Sequence, residues 1–179
     1  DEEWIQLSER QNTYDVHSNT QTIPLIFDPC MRHRHPTVHE RFDRFRENVD
    51  PALGAIREYF RRNPPDTKRN RPQSEPEGYF VRALLVLLSP HSEIAAHVDN
   101  GYSLSRAHRV HLPLETNEDV KFGVGDSIRS LPVGELWEIN NRRQHFVSNR
   151  SPHPRIHLIM DYVIPGEVIT DPTDGELVA

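Results

Sequence analysis

Between Tyr79 and Ile164 the chain consists of short apolar segments, each followed within a few residues by Gly, Pro, Asn or Asp. The segments read YFVRALLVLLSP, EIAAHVD, RVHLPLETN, VKFGVGD, SIRSLPVGELWEIN, QHFVSNRS and RIHLIMDYVI. Short strands at regular spacing, with turn residues between them, are typical of a β-sandwich or barrel. At about eight strands, the pattern predicts a double-stranded β-helix core of the jelly-roll, cupin-like type.

The part of the chain before Tyr79 predicts other elements. The stretch TQTIPLIF alternates before it becomes wholly apolar, as a strand entering a core does. From His35 to Asn63 apolar residues recur at helical spacing. Pro51, with Asp50 as N-cap, predicts that a second helix begins there. The fold class is therefore expected to be mainly β with N-terminal helices.

The length of 179 residues fits one domain. We expect an N-terminal strand, helical part and loop in residues 1–78, with the loop rich in proline and charge. The jelly-roll core with the functional site is expected in residues 79–164, and an acidic, turn-rich tail in residues 165–179.

Composition excludes several classes of protein. The net charge of -6 gives no reason to expect a nucleic-acid partner. No apolar run is long enough for a membrane span. The single cysteine, Cys30, rules out an intramolecular disulfide and a multi-cysteine zinc site, and we expect it to be inert. No signal peptide is visible, so the sequence predicts a cytoplasmic protein.

Three residues form a candidate metal site. His97 and Asp99 lie at positions i and i+2, so in a strand their side chains share one face. His145, at the start of a later strand-like segment, is the best candidate for a third ligand. Two imidazoles and one carboxylate form the facial triad of non-haem Fe(II) oxygenases, which leaves positions open for other ligands. Arg155, ten residues after His145, could bind the distal carboxylate of a 2-oxoacid.

With these residues the sequence resembles the Fe(II)/2-oxoglutarate-dependent dioxygenases of the aspartyl/asparaginyl β-hydroxylase family. The resemblance covers roughly Tyr79 to Val163, in the stretches LLSPHSEIAAHVD, HRVHLPLETN, GELWEINNRRQHFVSN and PRIHLIMDY. The HVD motif makes the chain more similar to the bacterial proline-hydroxylase-like branch than to the animal enzyme, which has Gly in place of Asp99.

The resemblance implies both cofactors and roles. Fe(II) would be bound by His97, Asp99 and His145. The cosubstrate 2-oxoglutarate would be bound by Arg155, with Arg109 and His111 nearby. O₂ would be the second cosubstrate, and the enzyme would hydroxylate an unactivated C–H of an amino acid, free or in a peptide, releasing succinate and CO₂.

The sequence also departs from the family pattern at the cosubstrate pocket. A serine that helps to hold the cosubstrate in the animal enzyme corresponds to Val86 here, and Pro90-His91 replaces a Pro-Gly pair. We therefore expect the pocket to differ in detail, and the substrate cannot be transferred from either branch.

Several side chains have two interpretations. Arg109 and His111 either form salt bridges on a solvent face or point into the barrel towards a bound acid. Trp137 is either core or a wall of the site, and Asn149 either caps a turn or orients His145. Four further residues are either exposed surface or bind a substrate carboxylate: Arg106, His108, Arg142 and Arg143. A second histidine cluster, His33, His35 and His39, is more typical of a loop than of a metal site.

The expected partner is therefore a small molecule or peptide that bears a carboxylate. The alternative function is a non-oxygenase cupin-like protein that binds a metal or a small acid without redox chemistry. A third possibility is an interaction module with a buried polar network and no metal.

Overall fold

The structure is a computed structural model that describes Trp4 and residues 18–28, 36–64, 78–100 and 102–165. Its strands are β1 (Thr20–Phe27), β2 (Thr37–Val38), β3 (Tyr79–Leu88), β4 (Ser92–His97), β5 (His108–Glu115), β6 (Val120–Val124), β7 (Ser127–Arg129), β8 (Trp137–Ile139), β9 (His145–Asn149) and β10 (Arg155–Val163). Helix α1 spans Arg41–Arg62, and a short 3₁₀ helix spans Leu104–Arg106.

The strands form two antiparallel sheets. The larger sheet has the order β2-β1-β3-β10-β5-β8, and the smaller has the order β4-β9-β6-β7. From β3 to β10 the chain passes repeatedly between the sheets, so each sheet receives four of these eight strands. This is the strand arrangement of a jelly roll. The predicted double-stranded β-helix core is confirmed, and the segment SIRSLPVGELWEIN contains two strands, β7 and β8.

Strand β3 is buried on both faces, as its continuous apolar sequence predicts. Ala83 and Leu85 belong to the core cluster under α1. Leu84 and Val86, on the other face of the strand, pack with Phe27 and Ile159 in a separate cluster. Strand β5 has two different faces, since Val110 and Leu112 pack towards the helix and Arg109 and His111 point the other way. The larger sheet therefore has an apolar outer face and a partly polar inner face.

The prediction that a second helix begins at Pro51 is wrong, because α1 runs through this residue without a break. Val49, before the proline, and Leu53 and Ile56, after it, all lie in the same core cluster against the larger sheet. Packing on both sides of Pro51 thus holds one helix together, although the proline lacks the N–H that would bond to the preceding turn. The helix covers the outer face of the sheet.

Some predictions fall outside the described residues: those on Cys30, His33, His35, most of the loop before β3 and almost all of the C-terminal tail. His39 is described, and its backbone N–H donates to the carbonyl of Leu25 at 2.9 Å. Among the described residues, no helix has the length and apolar content needed to cross a bilayer.

Candidate metal centre

A bulge in β4 turns His97 towards the inside of the barrel. Ile94 pairs with Val147 and His97 pairs with His145, so two residues of β4 lie opposite the single residue Phe146 of β9. In a regular strand, residues three apart face opposite sides. Here Ile94 packs in the inner core cluster and His97 also reaches the site, because the extra residue reverses the alternation.

The bulge places the two histidines directly opposite each other. The ring centroids of His97 and His145 are 4.3 Å apart. Asp99 follows the end of β4, where its backbone N–H donates to the carbonyl of Asn141 at 3.2 Å. Its Oδ1 is 3.7 Å from His97 Nε2, and its Oδ2 is 3.9 Å from His145 Nε2. One ligand atom from each residue lies within 4.8 Å of the other two, a spacing that one metal ion can bridge.

Backbone carbonyls set the tautomers of both histidines. His97 Nδ1 is 2.8 Å from the carbonyl oxygen of Ala95, and His145 Nδ1 is 3.0 Å from that of Arg143. A carbonyl can only accept, so each Nδ1 donates and each neutral ring has its unprotonated nitrogen at Nε2. Burial lowers the pKa of His145, which favours this neutral form. The donor set therefore fits a facial triad for Fe(II).

The Asp99 carboxylate is oriented by two donors. Asn141 Nδ2 donates to Asp99 Oδ2 at 3.1 Å, and Arg109 Nη1 donates to the same oxygen. These bonds occupy Oδ2, so Oδ1 is the oxygen available to a metal ion beside His97. Asn141 is itself fixed by a second bond, from Nδ2 to the carbonyl of Leu104 at 2.7 Å.

Arg109 is in turn fixed by Asp161 of β10. Its Nε and Nη2 each donate to one oxygen of that carboxylate at 2.8 Å. Burial alone would raise the pKa of Asp161, but the charges and hydrogen bonds of Arg109 and Arg82 lower it to about 2. The same carboxylates, Asp161 and Asp99, outweigh burial at Arg109 and raise its pKa above the usual value.

The ion pairs continue away from the metal ligands. Arg82 Nη1 is 3.1 Å from Asp161, and Arg82 Nη2 is 2.5 Å from Asp28 Oδ1 and donates to Ser103 Oγ at 2.5 Å. Asp28 is buried, and burial raises its pKa to about 6 in spite of Arg82. A buried chain of alternating charge thus runs from the end of β1 to Asp99, the candidate metal ligand.

The sequence alone does not single out four residues of this site: Asp28, Arg82, Asn141 and Asp161. Two of them carried a visible signal, because Arg82 in YFVRALLVLL and Asp161 in RIHLIMDYVI are charged residues inside apolar strands. Ionised groups are almost never fully buried unless they are paired, so each implied a buried partner.

Arg109 and His111 point into the barrel, which is the second of their two interpretations. The anion expected beside a buried arginine is supplied at Arg109 by Asp161 and Asp99 of the chain itself. His111 lies deeper, with its ring 5.2 Å from that of Phe122.

Arg155 and His157 lie at the beginning of β10, each 1 % exposed. Arg155 Nη2 is 2.6 Å from His157 Nδ1, which is 3.3 Å from His111 Nδ1. On this strand Arg155, His157 and Asp161 alternate with Leu158 and Met160, which pack under the helix. On the inner face of β10, Asp161 therefore lies near the candidate metal ligands, and Arg155 and His157 lie towards the other end of the strand.

The remaining predicted substrate residues are dispersed. His108 is not brought to the triad, because it lies on the outer face of β5, with Nδ1 2.7 Å from Glu138 and its ring 4.7 Å from that of Phe60. The exposed Arg106 stacks its guanidinium 3.9 Å from the ring centroid of Tyr102. Trp137 is half-buried against the inner core cluster.

Arg142 and Arg143 are exposed on the loop before β9, and the Arg143 guanidinium lies over Gly125. Asn149 holds the loop between β9 and β10. Its Nδ2 donates to the carbonyls of Ser89 and His153, and its Oδ1 accepts from Ser151. These contacts are those of a residue that caps a turn.

Comparisons with known proteins give the family of the chain and support its fold. The family model described as Aspartyl/Asparaginyl beta-hydroxylase matches residues 67–165. The crystal structure of an oxidoreductase of the 2OG-Fe(II) oxygenase family from Burkholderia pseudomallei has the same fold, at 13% identity and a TM-score of 0.55, over 82% of this chain and 69% of that chain. A cupin domain from Bordetella pertussis matches at 13% identity and a TM-score of 0.36, over 51% of this chain and 98% of that chain.

Proposed function

Because the chain belongs to the aspartyl/asparaginyl β-hydroxylase family and is a 2-oxoglutarate-dependent dioxygenase, we propose that it hydroxylates an unactivated C–H bond of an amino acid, free or within a peptide. The observation that carries the proposal is that His97, Asp99 and His145 each bring one ligand atom within 4.8 Å of the other two. Both histidine tautomers and the free carboxylate oxygen are already set for a metal ion.

In this proposal the iron ligands are His97, Asp99 and His145. The bound iron, with O₂, supplies the oxidising power: one oxygen atom enters succinate as 2-oxoglutarate loses CO₂, and the other enters the C–H bond. The protein holds the ligands in place. The Ala95 and Arg143 carbonyls fix the imidazoles, and Arg109 and Asn141 fix the carboxylate.

We assign the distal carboxylate of 2-oxoglutarate to Arg155. This arginine is almost fully buried on the inner face of β10, the same face on which Asp161 binds Arg109 near the iron ligands. A buried guanidinium gives a carboxylate two parallel charge-assisted hydrogen bonds, which both orient it and stabilise its charge. His111 lies between Arg109 and His157 on the inner side, so it would contact the middle of the cosubstrate.

The acceptor in this proposal bears a carboxylate. Arg106 ends the short 3₁₀ helix between β4 and β5, and Arg142 and Arg143 are on the loop that leads to His145. Three exposed cations therefore lie on the two connections next to the proposed ligands. Exposed arginines bind a carboxylate by its charge and by the planar geometry of their donors. A cytoplasmic location stays a prediction from the sequence.

The test is a product screen with the purified chain, Fe(II), 2-oxoglutarate and O₂. We expect succinate, and a product heavier by one oxygen atom in mass spectra of one or more carboxylate-bearing amino acids or peptides. His97→Ala should abolish both products. The control is His153→Ala, since His153 is an exposed histidine on the loop before β10.

Retained succinate formation in His97→Ala would contradict the metal assignment. Tight zinc binding in the parent without any binding of 2-oxoglutarate in calorimetry would instead support the cupin-like alternative.

A further inference from the structure

We propose that the outer face of the smaller sheet is an interaction surface for a second copy of this chain. Helix α1 covers the outer face of the larger sheet, whereas the outer face of the smaller sheet carries exposed side chains on β4, β6 and β7. An antiparallel sheet with water against one face normally carries polar residues there. One row of this face is apolar instead. The inference does not depend on the proposed function.

The apolar row crosses all four strands of the sheet. Phe146 of β9 is paired with Gly123 of β6, and Gly123 is paired with Ile128 of β7. On the other side of Phe146 lie Ala95 and Ala96, the two residues of the bulge in β4. Both alanines are exposed, and Ile128 is 58 % exposed. In the strand order β4-β9-β6-β7 the row therefore alternates between small and large residues.

A two-fold axis makes this row complementary to itself. The axis runs parallel to the strands, between β9 and β6, and reverses the strand order of the second copy, so that β4 faces β7 and β9 faces β6. Ile128 then meets Ala95 and Ala96 of the second copy, and Phe146 meets its Gly123. The Phe146 ring lies over Gly123 of its own chain. This leaves the space above its own backbone for the phenylalanine ring of the second copy.

The neighbouring row, which is polar, is complementary under the same axis. Ser148 of β9 is paired with Glu93 of β4 on one side and with Lys121 of β6 on the other. Lys121 Nζ donates to Ser130 Oγ at 3.0 Å, so its ammonium group lies towards the β7 side of the sheet. Among the described residues, neither Glu93 nor Lys121 has a partner of opposite charge. Reversal of the strand order brings Glu93 of each copy opposite Lys121 of the other.

Two rows of different chemistry thus fit one symmetry operation, which is what a closed dimer of identical chains requires of its interface. The face consists of four strands of three to six residues. Such a face is small for a specific interface, so the dimer should dissociate on dilution. Association would cover the outer side of β4 and β9, the two strands that carry His97 and His145.

The experiment is sedimentation equilibrium of the purified chain at concentrations from about 1 µM to 1 mM, where we expect a monomer–dimer equilibrium. Glu93→Lys and Lys121→Glu each replace two attractive contacts per dimer by two repulsive ones. Each variant alone should therefore associate about 10–100-fold more weakly than the parent. An equimolar mixture of the two variants should recover an affinity close to that of the parent, because both contacts in the mixed dimer again join opposite charges.

The apolar row has a matched control on the larger sheet. Ile128→Lys puts a charge into the row, and Val38→Lys makes the same change on β2, where the side chain is 59 % exposed against 58 % for Ile128. We expect Ile128→Lys to weaken association by about 10–100-fold and Val38→Lys to leave it unchanged. Thermal unfolding checks that the variants are folded, and their melting temperatures should stay close to that of the parent because the substituted side chains are exposed.

A parent chain that stays monomeric over the whole concentration range overturns the inference. So does a dimer that Ile128→Lys does not weaken, because association would then use another face. A mixture of the two charge variants that associates no better than either variant alone also overturns it, since Glu93 and Lys121 would then not meet across the two copies.

Discussion

Asp161 binds Arg109 through both of its carboxylate oxygens at 2.8 Å, and Arg109 in turn donates to Asp99, a candidate metal ligand. Asp161 and Asp99 thus share one guanidinium, because Nε and Nη2 donate to Asp161 and Nη1 donates to Asp99. The orientation of the Asp99 carboxylate therefore depends on a strand in the opposite sheet, and this contact joins the two halves of the barrel at the candidate metal site.

Replacing Asp161 should destabilise the protein strongly. Asp161→Asn leaves Arg109 and Arg82 buried with one charge partner fewer each, and breaking a buried ion pair from one side costs about 3–5 kcal/mol. Urea denaturation measures the free energy of unfolding. The control is Glu58→Gln, which breaks ion pairs with Arg61 and Arg62 on the exposed surface of α1 and should leave the stability close to that of the parent. Equal effects of the two variants would contradict the assigned role of the buried network.

Asp28 should make the stability depend on pH in an unusual direction. Burial raises its pKa from 3.8 to about 6 in the folded protein, so between these values the folded state binds more protons than the unfolded state. The contribution of Asp28 to stability is therefore present below about pH 4 and is lost as the pH rises through about 6.

Denaturation curves of the parent and of Asp28→Asn across this pH range test the prediction. The variant should lack the downward slope, whereas parallel curves would show that Asp28 is ionised in the folded state throughout. Asp161, with its pKa lowered to about 2, acts in the opposite sense, because its contribution is lost only as the pH falls below about 4.

Asn141 should influence metal binding without being a ligand. Asn141→Ala removes the hydrogen bond to Asp99 Oδ2, and loss of such outer contacts typically weakens metal binding about 10–100-fold. Titration with Co(II), followed by its absorption spectrum, measures the affinity directly. Asn140→Ala changes the exposed neighbour and serves as the control. The assignment fails if both variants bind Co(II) like the parent.

Gly123 should tolerate no side chain while Phe146 is present. These residues are paired across β6 and β9, and a Cβ at position 123 would overlap the Phe146 ring. We expect Gly123→Ala to cost about 1–3 kcal/mol of stability, as overpacking does. Adding Phe146→Leu should recover part of this loss. Thermal unfolding of both single variants and the double variant gives the coupling, and additive effects would contradict the proposed clash.

Pro51 should be a source of instability in α1. The residue is exposed and lies in the helix interior, where proline lacks an N–H and crowds the carbonyl of the preceding turn. Pro51→Ala should raise the free energy of unfolding by up to about 3 kcal/mol. A melting temperature equal to that of the parent, or lower, would contradict this expectation.

The strands and the three candidate ligands could be predicted because each depends on local pattern. Alternation and turn residues mark a strand, and His97, Asp99 and His145 are recognisable by residue type and order. The prediction of two helices is wrong because propensity favours a break at Pro51, whereas packing against the sheet on both sides of this residue keeps one helix.

The ion-pair partners within the buried chain of alternating charge could not be predicted from the sequence, for a different reason. Arg82 and Asp161 are 79 residues apart in sequence and meet only because β3 and β10 are neighbours in the larger sheet. The sequence shows that each needs a partner but does not show which one. The same holds for Arg109, whose partners were expected to come from a bound acid.

The bulge at Ala95 and Ala96 has a consequence beyond the position of His97. Among the described strands β4 lies at the edge of the smaller sheet, where a regular strand would present an unbroken row of N–H and C=O groups to other protein molecules. Two residues opposite one interrupt that row and increase the local twist. The irregularity that turns His97 towards the candidate metal site therefore also protects the barrel from edge-to-edge association.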